Sequence, residues 1–248
     1  MRIDRIRIKD FRNFESLEWV PRAGLNFLSG DNGAGKTSII EAIHLLAYGR
    51  SFRGRVSDGL IRRGFSELEV FAQWRSGDRG HQAGLRHTGK RWEARLDGES
   101  VGALSELCRV LAVVTFEPGS QRLVSGSSDV RRRYLDWLLF HVEPDFLMLW
   151  RRWTRALKQR NALLKQQAAS DSFAPWEHEL GESGEALSKY RQSMLAHLER
   201  ALQSICTLLV PELGVPRLTY QPGWRAEGGS LVAALARNRS REQQLGHT

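Results

Sequence analysis

Eight consecutive residues, Gly30-Asp31-Asn32-Gly33-Ala34-Gly35-Lys36-Thr37, hold the chemistry most readily read from side chains alone: three glycines, an ammonium and a hydroxyl at the spacing G-x-x-x-x-G-K-[ST]. Glycine admits positive φ without steric cost, so the backbone can curl tightly enough to aim several N–H groups at one anion. Lys36 adds a full charge that can reach outer phosphates, and the Thr37 hydroxyl suits the Mg²⁺ that travels with them. Ser38 continues the run. The expectation is a binding loop for a magnesium-bound nucleoside triphosphate, with Gly30 to Ser38 as contacts and Thr37 as the metal ligand. The loop alone does not distinguish ATP from GTP.

Such a loop must sit between a strand and a helix, where the helix N-terminus adds its partial positive charge. Leu25–Ser29 reads as the strand that enters it. Ile39, Ile40, Ile43, Leu45 and Leu46 recur at helical spacing after it. Upstream, Ile6–Phe11 and Leu17–Val20 alternate apolar and polar residues as strands with one buried face do. Downstream, Leu68, Val70, Ala72 and Trp74 begin a period-two pattern that runs to Leu96, with turn residues at Ser76–Gly80 and Asp97-Gly98, and predicts an antiparallel meander. A short helix over Ala103–Leu107 and an apolar central strand over Val110–Phe116 follow.

Past Asp129 helical patterns replace strands. Phe146, Leu149, Trp150, Trp153, Leu157 and Leu164 form one stripe, with Pro144 near its start. A loop over Ala169–Ala174 leads to a second long helix, from Pro175 to about Leu209, ended by Pro211, and the two are expected to pack as an antiparallel hairpin. The fold class expected is α/β: a P-loop NTPase lobe, ABC ATPase-like, of mixed sheet and helices over residues 1–128, and a helical second lobe over 129–212. Residues 213–248 are expected to begin a return to the first lobe. Trp74, Trp150 and Trp153 follow apolar periodicity and are expected in the core rather than stacking on bases.

The 248 residues, 41% hydrophobic and 26% charged, belong to the ordinary globular class. Against 28 Asp and Glu stand 37 Lys and Arg, a formal net charge of +9, which suits a polyanionic partner. Arginine groups able to grip phosphates occur at Arg50, Arg53 and Arg55; Arg62 and Arg63; Arg131 to Arg133; and Arg151, Arg152, Arg155, Lys158 and Arg160. No helix-turn-helix or zinc-finger pattern is present, so binding to DNA is expected to be sequence-indifferent. Cys108 and Cys206 lack metal-ligand or disulfide-framework spacing. No stretch approaches the ~18 apolar residues of a membrane span, and MRIDRIRIKDF is not a signal peptide, so no membrane partner and a cytoplasmic setting are expected.

Wider strings carry a resemblance. LNFLSGDNGAGKTSIIEAIHLLAYGRSFR, the FRNF at Phe11–Phe14, the GRSFR at Gly49–Arg53 and FEPGSQRLVSGSSDVRRRYLD from Phe116 to Asp136 resemble the SMC-like ABC ATPases of chromosome biology, most closely the RecF family. The resemblance implies ATP and Mg²⁺ as cofactors, DNA as partner, as a single strand or gapped duplex, an ATP-linked homodimer, and work with recombination mediator proteins in recombinase loading, repair, replication and the SOS response. It also implies that Arg12 and Asn13 sit against the nucleotide, that Glu117 or Gln121 lies near the Q-loop position, and that Arg131–Arg133 have a structural or interface role. Two family features are missing from the sequence. No aliphatic run ends in Asp-Asp or Asp-Glu, and no S-x-G-Q occurs, so the chain reads as an N-terminal portion that binds ATP weakly and hydrolyses it negligibly. The alternatives are a transporter-type ABC ATPase subunit, another SMC-type ATPase, a small-molecule P-loop kinase, which the long meander disfavours, and a non-enzymatic binding fragment.

Overall fold

The computed structural model describes residues 1–55, 59–224 and 229–248. The chain divides into two compact units, Met1–Glu117 and Pro118–Thr248.

The first unit is built on a six-stranded sheet of order β2-β1-β3-β4-β5-β6, in which β1 is Arg2–Phe11, β2 Phe14–Trp19, β3 Leu68–Ser76, β4 Arg79–His87, β5 Trp92–Leu96 and β6 Glu99–Ser100. Every ladder is antiparallel. Alternation sorts the two faces. Ile6 and Ile8 of β1, Leu68, Val70, Ala72 and Trp74 of β3, and Ala83 and Leu85 of β4 are buried on one side. Helix α1, Lys36–Tyr48, brings Ala42, Leu45 and Leu46 onto that side, and α2, Leu104–Val110, adds Leu107. The opposite face carries Arg7, Lys9, Glu69, Phe71, Arg86, Glu93 and Arg95.

Two expected strands do not form. Leu25–Ser29 and the stretch from Leu111 to Phe116 run without helix or ladder assignment, and Val110 closes α2 instead of opening a strand. Hydrophobicity can favour extended backbone, but a strand also needs a neighbour's N–H and C=O groups, and neither segment has such a ladder among the described residues. Their side chains reflect this: Phe27 is 85% exposed and Phe116 92%.

The second unit is helical. It comprises α3, Arg122–Ser125, α4, Ser128–Val142, α5, Phe146–Lys165, α6, Ala174–Leu209, and α7, Leu231–Leu245. α5 packs against α6, whose buried residues all lie between Glu177 and Arg191, and α7 packs on both. Leu139, Phe146 and Leu187 make one apolar cluster, and Ala156, Leu180 and Leu235 another. Two glycines of α6 let α7 come close: a Cβ on Gly181 would lie 2.2 Å from Val232 Cγ2, and one on Gly184 2.7 Å from Leu231 Cδ2.

Charge fixes what apolar contact leaves free. Arg160, fully buried, donates to Glu177 Oε1 at 3.1 Å and to Leu235 O at 3.0 Å, and pairs with Glu242 at 2.7 Å, so one guanidinium binds α5 to α6 and α7. Trp74 and Trp153 pack inward as expected, but Trp150 is 38% exposed. At about 100° per residue it lies at the edge of the sector defined by Phe146, Trp153 and Leu164, where the neighbouring helices no longer cover it.

Candidate nucleotide-binding site

Backbone conformation makes the loop. Gly30, Gly33 and Gly35 adopt φ of 145°, 86° and 99°, a turn closes from Ala34 N–H to Asp31 O at 3.1 Å, and α1 begins at once with Ile39 N–H donating to Gly35 O at 3.1 Å. Gly35 is required twice over. Its φ is positive, and a Cβ there would stand 2.4 Å from Phe14 Cζ.

The helix that leaves the loop has no side-chain cap and no acidic residue in its first turn. Its leading N–H groups and partial positive charge therefore face the loop unneutralised. Asp31, Asn32, Gly33, Ala34 and Thr37 are exposed, and Ser38 is buried. The Lys36 ammonium donates to Gly30 O at 2.6 Å and to Asp31 O at 2.8 Å. An ammonium has three protons, so two hold the loop's shape and one is left for a phosphate oxygen.

The FRNF segment forms the other wall. Phe11 and Phe14 pair across the β1–β2 turn, with Arg12 at φ 55°. Asn13 Nδ2 donates to Gly33 O at 2.9 Å, so the turn is tied directly to the glycine loop. Arg12 points to α1: its Nε and terminal nitrogen meet the two oxygens of Glu41 at 3.0 Å and 2.7 Å. Glu41 is fully buried, accepts also from the Ser51 hydroxyl, and lies 3.5 Å from Arg53. Of the two residues that the resemblance implies at the nucleotide, Asn13 stands on the loop's backbone, and Arg12 is forked onto the buried Glu41 in the middle of α1.

Glu41 is a residue that periodicity passes over, because a carboxylate among Ile39, Ile40, Ala42 and Ile43 reads as an interruption of an apolar face. The signal was in GRSFR, whose Ser51 and Arg53 supply the partners. His44 is a second such residue. Burial pushes its imidazole down to about 4, with the Arg50 charge adding to the effect. Neutral, it bonds the Thr115 hydroxyl through Nδ1 at 2.8 Å and stacks on Tyr48, whose own hydroxyl donates to Val113 O at 2.9 Å. One helix thus holds both the loop at its start and the extended segment beyond α2.

The residues fit a triphosphate: uncapped amides, a lysine with a spare proton and an exposed hydroxyl converge, and no acid stands in the first turn of α1, the one carboxylate of the loop being the exposed Asp31. No group of three His, Cys, Asp or Glu among the described residues could hold a metal by itself, so Mg²⁺ would depend on the phosphates as well as Thr37. Glu117 ends the first unit. Gln121 closes a short 3₁₀ turn in the second, with its carbonyl accepting from Ser125. Of the arginine groups, Arg131 donates to Gly126 O at 2.8 Å, and Arg132 and Arg133 pair with Asp129, so this run braces the start of α4.

A glycine loop feeding an uncapped helix on an antiparallel sheet, in a chain whose second unit is helical, defines a P-loop ATPase architecture of the ABC type. The AAA domain family model matches residues 5–91. The chain belongs to the RecF family: DNA replication and repair protein RecF of Xanthomonas oryzae pv. oryzae is 54% identical over the whole chain, which covers 70% of that protein. The RecF of Stenotrophomonas maltophilia is 53% identical with the same coverage, and that of Hydrogenovibrio crunogenus 36%, with 68% of its length covered. The fold is similar to that of the recombination mediator protein RecF-ATP in the RecFOR pathway, with a TM-score of 0.85 at 21% identity, covering this chain in full and 69% of the other. A RecF-ATPrS structure gives 0.82 at 20%, covering 99% of this chain and 70% of the other.

Proposed function

We propose that this chain holds ATP with Mg²⁺ at Gly30–Ser38 and binds DNA through its phosphates, as part of a cytoplasmic protein of replication and recombinational repair. The single observation that carries the reading is the loop itself: Lys36 set on two loop carbonyls, at the foot of a helix with no cap to compete with an anion. Relatives named DNA replication and repair protein RecF support the substrate class, and the net charge of +9 supports a polyanion.

The bound triphosphate supplies charge and a γ-phosphate that can report its own presence. This chain's residues do the holding. Loop amides and Lys36 neutralise the phosphates, Thr37 offers an oxygen to Mg²⁺, and Asn13 and Phe14 keep the loop in register with the sheet. Within these 248 residues no aliphatic run ends in paired acids and no S-x-G-Q occurs, so the reading is binding with negligible turnover, with an ATP-linked homodimer and recombination mediators as partners. Mobility shifts of gapped duplex and of single strands at low salt, with and without ATP, test it. Retention of DNA that weakens as salt rises is expected. No retention at low salt in the presence of ATP, or turnover comparable with that of a complete relative, would contradict it.

A further inference from the structure

Helix α5 carries six Lys and Arg residues and no Asp or Glu in its 20 positions, FLMLWRRWTRALKQRNALLK. The structure sorts these cations by face. Arg152 donates to Glu179 at 2.6 Å and 3.0 Å and reaches Glu182 at 3.4 Å. Arg160 is spent on the buried Glu177 and on the half-buried Glu242. The other four, Arg151, Arg155, Lys158 and Lys165, are exposed. Arg155, Lys158 and Lys165 enter no salt bridge among the described residues, although Glu179 feels the charge of Arg155 at longer range.

Their spacing is i, i+4, i+7 and i+14. At 3.6 residues per turn, these positions fall within a sector of about 80°, and at 1.5 Å per residue they span about 21 Å. Cations aligned this way repel one another, and α5 itself contributes no carboxylate to the row. A duplex strand shows one phosphate per 3.4 Å of axis, so about six lie alongside such a row. The arrangement has the length and the sign to lie along a phosphate backbone.

We infer that the outward face of α5, with Arg151, Arg155, Lys158 and Lys165, is a docking surface for the phosphate backbone of duplex DNA. The inference rests on the proposal that this chain binds DNA and gives that binding a location in the helical unit. It divides the arginine cluster seen in the sequence: Arg152 and Arg160 hold the unit together, and the remaining members meet the ligand.

The test is the salt dependence of binding of a mixed-sequence duplex to three forms of the full chain in the presence of ATP: unmodified, Arg151→Gln/Arg155→Gln/Lys158→Gln, and Lys9→Gln/Arg91→Gln/Arg95→Gln. The two variants lose the same charge from different units. Loss of about three phosphate contacts lowers the magnitude of the slope of log K against log salt by about 2 to 3 for the α5 variant, with affinity down at least about tenfold, while the sheet variant keeps the unmodified slope. The charge-keeping Arg151→Lys/Arg155→Lys should also retain it. Should the triple α5 variant fail to fold by circular dichroism, Lys158→Glu alone replaces it and must weaken binding. Equal slopes in all forms, or equal losses in both neutralised variants, overturn the assignment to α5 while leaving DNA binding intact. An unmodified chain that does not bind at all overturns the DNA reading and this surface with it.

Discussion

At the scale of single residues, the site depends on close approach and on a buried carboxylate. Gly35 has a positive φ and the Phe14 ring where a Cβ would be. Gly35→Ala should therefore destabilise the first unit by about 2 kcal/mol and weaken nucleotide binding together, since strain and overpacking act on the loop's own backbone. Urea midpoints and ATP titrations of the same protein check this. Glu41 has no exposed surface, and Arg12 is its forked partner. Arg12→Met should cost about 3 kcal/mol, because it leaves a buried charge with Ser51 and the more distant Arg53 alone. The glycine loop and FRNF were legible in the sequence because their chemistry is local: a fixed spacing dictates the turn. Glu41 was not, since what makes it matter is the meeting of three segments, the β1–β2 turn, α1 and the chain after Gly49, that lie apart in sequence.

At the scale of elements, α1 is the organising piece. Lys36 stands at its first turn, Glu41 in its middle, and His44 and Tyr48 at its end hold Thr115 and Val113. His44 gives this a pH signature. Its folded value, about 4, lies below the ordinary 6.5, so the unfolded chain binds the proton first, and the stability due to neutral His44 is complete above about 6.5 and is lost as pH falls from there towards 4. Between pH 7 and pH 5 the native chain should lose on the order of 2 kcal/mol more than His44→Gln does; equal losses on denaturant titration would remove His44 from this role. The helix hairpin and the meander were readable because period 3.6 and period 2 persist over many residues. The segments around Leu25–Ser29 and Leu111–Phe116 share the composition of strands, but composition does not supply a hydrogen-bonding neighbour. In α6 the cause is again contact. Gly181→Ala would place a methyl against Val232 and should loosen α7 by about 1 to 3 kcal/mol, seen as faster amide exchange over Leu231–Leu245.

At the scale of the whole chain, charge divides into structure and surface. The buried pair Arg160 and Glu177 is joined by the half-buried Arg239, and Arg160→Met should cost about 3 to 5 kcal/mol by leaving Glu177 and Glu242 short of a partner, read as a lower thermal midpoint for the helical unit. The net charge was visible from composition, but which arginines are spent internally was not, since α5 mixes both kinds within one run. Family membership was legible from four short strings. The central claim is that Gly30–Thr37 holds a triphosphate, and it is tested most directly by calorimetric titration of ATP with Mg²⁺ into the chain and into Lys36→Ala. The account predicts binding by the first and a loss of about 10- to 100-fold in the second, the worth of one charge-assisted hydrogen bond; equal affinity in the two proteins would contradict it.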